Sequence, residues 1–116
     1  MAEINTIDGI VVVTLSGELD NHEANRIRST ISSSIYAGQV RAIIWNLERL
    51  AFMDSAGIGL ILGRMRDLVP YNGETVILNP SATMEKIFNF SGLGSMIRHC
   101  TVETALGEIG GVLHEK

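Results

Sequence analysis

Cysteine is almost missing from this sequence: Cys100 is the only one among 116 residues. A lone cysteine closes no intramolecular disulfide, which suits a reducing compartment. No apolar run approaches the roughly 20 residues that a membrane-spanning helix needs. The opening residues lack a basic stretch followed by an apolar core, so they do not read as a signal peptide. No block of Lys or Arg stands out, and 13 acidic side chains outnumber 9 basic ones for a net charge of -4. Contacts to a phosphate backbone need a basic patch, so a nucleic-acid partner is not expected. These absences describe a soluble, cytoplasmic protein. What is present is apolar, 46% of residues against 19% charged, enough for one core in one domain spanning residues 1–116.

Strands and helices alternate along the chain. Ile4–Ile7 and Ile10–Leu15 are β-branched runs joined by Asp8-Gly9, a hairpin signal. After Gly17-Glu18-Leu19, Asp20 or Asn21 can cap a helix whose inner face is Ala24, Ile27, Ile31 and Ile35, with Gly38 ending it. Val40–Trp45 reads as a third strand and Asn46–Asp54 as a connector. Helical spacing resumes at Ile58, Ile61, Leu62, Met65 and Leu68 and ends near Pro70. Thr75–Leu78 is a fourth strand. Ser81 caps a helix with Met84, Ile87, Phe88 and Phe90 placed inward, stopped by Ser91-Gly92. A short strand near Ile97–Cys100 and a helix over 102–113 complete the chain. Gly107, Gly110 and Gly111 work against that last helix, each by about 1 kcal/mol relative to Ala. The pattern predicts an α/β fold, with a partly parallel sheet after the opening hairpin and helices packed on it.

The segment Phe52-Met53-Asp54-Ser55-Ala56-Gly57-Ile58-Gly59 concentrates the candidate chemistry. It sets a carboxylate and a hydroxyl at a helix entrance, where free N–H groups favour anions and phosphoryl groups. Asp54 or Ser55 could equally be a plain helix cap, and Gly57, Gly59 and Gly63 could serve close packing. A hydrolase elbow wants glycine two positions before the serine, where Met53 stands. His22, His99 and His114 offer no evident base for it. A phosphate loop wants lysine after its glycines, but Gly63 is followed by Arg64. The dinucleotide spacing fails as well. The histidines and Cys100 are too scattered for metal ligands, so neither a metal nor a cofactor is expected.

Four motifs in order carry a resemblance: Gly17-Glu18-Leu19-Asp20, Asn46-Leu47-Glu48, the Phe52–Gly57 segment, and Phe88-x-x-Ser91-Gly92-Leu93. They resemble the STAS family over about residues 3–106, and within it the anti-sigma factor antagonists of spore-forming bacteria. The resemblance implies a single STAS-type α/β domain that catalyses nothing itself. It implies that Ser55 is phosphorylated by an anti-sigma factor acting as an ATP-dependent serine kinase, and restored by a serine phosphatase. The unphosphorylated form then binds the anti-sigma factor and frees a sigma factor, sigma-F in the sporulation case. Asp20, Asp54, Ala56, Gly57 and Ile58 form the expected surroundings of that site. An apolar docking patch beside the helix, with Ile58 and Met53, is the expected contact. The alternative implied by the same family is a regulatory domain that binds purine nucleotides weakly.

Overall fold

The computed structural model describes the backbone of residues 1–114 and the side chains of residues 1–109. Strands β1 (Ala2–Ile7) and β2 (Ile10–Leu19) form an antiparallel hairpin with Ile7 opposite Ile10. Asp8 and Gly9 both take positive φ, 51° and 79°, the turn whose twist matches the strands it joins. Next come β3 (Ala42–Met53), β4 (Glu74–Leu78) and the short β5 (Ile97–Arg98), each parallel to its predecessor. The strand order is sequential, β1-β2-β3-β4-β5.

Parallel neighbours need crossovers, and three helices supply them: α1 (Asn21–Tyr36), α2 (Ser55–Leu68) and α3 (Ala82–Phe90). Crossovers of one hand that always step the same way lay their helices on one face. Ile27, Ile31 and Ile35 of α1, Leu60 and Ile61 of α2, and Met84 and Phe88 of α3 accordingly pack on Val11, Val13, Leu15, Ile43, Trp45 and Ile77. The opposite face, with Ile10, Val12, Ala42, Ile44, Val76 and Leu78, is covered by Ala105 and Ile109 of α4 (Val102–His114). Burial on both faces explains why Ile10–Leu15 reads as an unbroken apolar run. The Thr104 N–H donates to Thr101 Oγ1 at 3.0 Å and starts α4. Burial of Ala105 and Ile109 outweighs the glycine penalty, because packing rather than propensity supplies most helix stability in a protein. No helix among the described residues is long and apolar enough to cross a membrane.

Two expectations from the sequence are corrected. Residues 46–53 are strand, not connector. From Thr14 to Ser16, β2 advances two residues while β3 advances three, from Asn46 to Arg49. From Gly17 to Glu18 it advances one while β3 advances two, from Leu50 to Phe52. Those two bulges break the alternation of a strand, so the buried residues fall at Leu47, Leu50 and Met53, three apart. The second correction concerns α3. Met84 and Phe88 point inward, but Ile87 is 40% and Phe90 94% exposed. Four-residue spacing selects one pair of the apolar residues, and the other pair is left on the outer side.

Candidate functional site

The bulged strands deliver two carboxylates to one place. Leu19 and Met53 are register partners at the ends of β2 and β3, and the next residue in each chain segment is an aspartate. Asp20 and Asp54 therefore sit side by side at the C-terminal edge of the sheet, where α/β folds place their ligands. Each caps the helix that follows. Asp20 Oδ1 accepts from the Glu23 N–H at 2.8 Å, and Asp54 Oδ1 accepts from the Ala56 N–H at 2.9 Å. The cap of α2 is thus Asp54, and Ser55 is the first helical residue, with an exposed side chain free of the capping role. Ser55 stands at the positive end of the helix dipole, directly after the Asp54 cap and open to solvent.

Gly57 holds this end of α2 down on the sheet. A Cβ placed there would lie 2.7 Å from Met53 Sδ and 3.0 Å from Met53 Cβ. The thioether can swing away; the Cβ is fixed to the strand. Met53 is itself only 5% exposed, so it is the floor under α2, and what remains open of it lines the base of the apolar groove beside Ser55. Gly57→Ala is expected to destabilise the fold by about 1–3 kcal/mol, readable as a lower urea midpoint at unchanged slope. Gly59 and Gly63 have nothing within 4 Å of such a Cβ, so packing does not require glycine at either position.

The site opens sideways onto an apolar groove of about 580 Å³ between α2 and α3. Ser55, Ile58 and Leu62 line one wall, Ile87 the other, and Phe52 the rim. Phe52 is 57% exposed. Ile58 is therefore placed as expected, on the groove side of the helix. Ala56 faces away from it, toward a smaller cleft of about 200 Å³ against Asn25 and Arg28 of α1. Sequence reasoning missed Phe52, Leu62 and Ile87 as parts of the site. A signal existed for Phe52: it directly precedes a buried strand residue and must point the other way.

Farther along α2, a polar clamp ties the helix to α1. Asp67 accepts hydrogen bonds from Ser32 Oγ at 3.2 Å, from the Tyr36 hydroxyl at 3.0 Å and from Arg64 Nε at 3.0 Å. Burial alone would push the Asp67 carboxyl up, but these donors and the Arg64 charge hold it below its ordinary value. The bond to Asp67 pushes the Tyr36 phenol up.

Comparison with known proteins bears directly on this arrangement. Residues 1–109 match the STAS domain family. The chain is 52% identical to the anti-sigma F factor antagonist of Lysinibacillus sphaericus, over 90% of this chain and 89% of that protein. Its structure matches that of the anti-sigma factor antagonist SpoIIAA in its unphosphorylated form with a TM-score of 0.91, at 47% identity, covering 96% of this chain and 97% of that one. It matches the phosphorylated form of the Bacillus cell fate determinant SpoIIAA with a TM-score of 0.88, at 48% identity, covering 94% and 99%. With its sequential sheet, its paired aspartates and these relatives, the chain belongs to the STAS family and is an anti-sigma factor antagonist.

Proposed function

We propose that Ser55 is the phosphoacceptor of a binding switch, and that the whole chain, residues 1–116, acts as one cytoplasmic STAS domain. The observation that carries this reading is the exposed Ser55 hydroxyl at the first position of α2, beside two capping aspartates and at the mouth of an apolar groove. In the unphosphorylated state the groove side of α2 docks on an anti-sigma factor that is also a serine kinase, and sigma-F is released. Phe52, Ile58, Leu62 and Ile87 supply the apolar contact, since a rimmed apolar patch on a small protein marks an interaction surface.

Phosphorylation then ends the interaction. Ser55 Oγ attacks the γ-phosphorus of kinase-bound ATP, the bond from that phosphorus to the bridging oxygen breaks, and ADP leaves. The hydroxyl proton passes to a base on the kinase. The product carries about 1.5 to 2 added negative charges beside Asp20 and Asp54. The N-terminus of α2 offsets part of that charge internally, so the fold has no need to rearrange. The partner meets like charge where it met a hydroxyl. A serine phosphatase removes the phosphoryl group and restores binding. Weak nucleotide binding by the free protein is the less favoured reading. Among the described residues lining the groove there is no Lys or Arg to meet a triphosphate.

Intact mass after incubation with the cognate anti-sigma factor and ATP tests the proposal. The wild type should gain one phosphoryl group, mapped to Ser55, and Ser55→Ala should gain none. A phosphoryl group on any other residue of the wild type would refute the assignment.

A further inference from the structure

Gly59 has no structural reason to be glycine. It lies in the interior of α2, exposed, with nothing within 4 Å of the position a Cβ would take. Glycine in a helix interior is disfavoured against alanine, because its backbone loses the most freedom on folding. The usual compensation is close internal packing, which Gly57 shows against Met53 and Gly59 does not. Gly63 shares that open space, and what sets Gly59 apart is its place on the surface.

Gly59 follows Ser55 by four residues, so the two share a ridge of α2 with neighbouring Cβ positions about 6 Å apart. Gly59 also borders both surface depressions flanking that ridge, the apolar groove toward α3 and the cleft toward α1. The ridge is at its lowest one turn below the hydroxyl. A kinase that brings the γ-phosphorus of ATP to bonding distance of Ser55 Oγ must advance its own surface along this part of α2.

We infer that Gly59 is a specificity-determining notch, a point where the anti-sigma factor packs directly against the backbone of α2. This rests on the docking reading above and adds a residue to it. The bare helix is kept at the expense of the free protein's stability because any side chain would hold the partner away from Ser55.

The test pairs stability with binding, using the full chain and the anti-sigma factor with a non-hydrolysable ATP analogue. Gly59→Ala and Gly59→Leu are expected to melt higher than the wild type, by about 4 °C. Binding by calorimetry should weaken about fivefold for Gly59→Ala and at least about 30-fold for Gly59→Leu, the range of overpacking a close contact. Gly63→Ala is the control: it also removes a helical glycine with open space around it, but Gly63 borders neither depression. It should stabilise the fold and leave affinity unchanged. Gly59 variants that bind like the wild type while Ser55→Asp does not would overturn the notch and leave the docking reading standing. Equal weakening by Gly63→Ala would also overturn it, since helix rigidity would then be the cause. A wild type without affinity would remove the docking reading itself. If Gly59→Leu fails to fold, the alanine variant decides alone.

Discussion

Ser55→Asp is expected to lose about 100-fold in affinity for the anti-sigma factor, while Ser55→Ala binds within a fewfold of the wild type and can no longer be switched off. The size follows from where the new charge sits. Asp20 and Asp54 are already adjacent at the ends of β2 and β3, and each commits one oxygen to a helix N-terminus. A third carboxylate at the first position of α2 gains some relief from the same helix end, by about 0.3–1 kcal/mol while exposed. Docking removes the water around it and sets it against a surface shaped for a hydroxyl. Juxtaposed like charge or a stranded carboxylate costs several kcal/mol, and each 1.4 kcal/mol is tenfold in affinity.

Charge and bulk are separable here. Asparagine has nearly the size of aspartate and no charge, so Ser55→Asn should bind much more tightly than Ser55→Asp. If both variants lose affinity equally, the blockade is steric and the electrostatic account fails. Added salt offers a second reading, because screening weakens repulsion between exposed charges. The gap between Ser55→Asp and Ser55→Asn should narrow between low and high ionic strength. The fold itself should stay as it is in every variant. SpoIIAA has this architecture in both its unphosphorylated and its phosphorylated form, which fits a switch read at the surface. Backbone amide shifts in phosphorylated protein should then be confined to the surroundings of Ser55.

Most of the scaffold was legible in the residues, because periodicity reports burial. The inner face of α1 follows from isoleucine spacing, and Ser81 as a cap, with Asp20 as one of two candidates, follows from its place before an apolar period. On α2 the spacing is right for Ile61 and Leu68 only: Leu60 is the buried residue it passed over, while Ile58 and Leu62 line the groove. What failed has a common cause. Leu47, Leu50 and Met53 look like neither strand nor helix, since register with β2 is kept only through two bulges that a single strand's sequence does not reveal. The groove was illegible for a related reason. It joins Phe52, at the end of β3, to Ile87, on a helix one crossover later, and that contact exists only after three elements have packed. Ser55 could be singled out as a candidate, but its separation from the capping role needed the geometry of Asp54.

Asp67→Ala is expected to be the most damaging single change to stability, at about 2–3 kcal/mol, or a fall of about 10 °C in melting temperature. The reason is the charge it abandons. Arg64 is 7% exposed, its Nε bonds Asp67 at 3.0 Å, and its Nη1 is buried with no partner among the described residues. Removing the carboxylate strands a guanidinium between α1 and α2 and also frees Ser32 and Tyr36. Breaking a buried pair from one side is far worse than replacing both members. Asp67→Ala with Arg64→Met should therefore be more stable than Asp67→Ala alone, a coupling that a double-mutant cycle in urea measures. The pH dependence has a definite sign. Hydrogen bonds and the Arg64 charge hold the Asp67 carboxyl below its ordinary value, so its contribution is complete above the unfolded pKa and disappears as the pH falls through the folded one. Asp67→Ala should lack that acid-side loss: the stability gap to the wild type closes on acidification and is widest at neutral pH. Because the clamp joins α2 to α1 well away from Ser55, the variant at low temperature should still accept phosphate on Ser55. That separates the groups that hold the helix from the hydroxyl at its end.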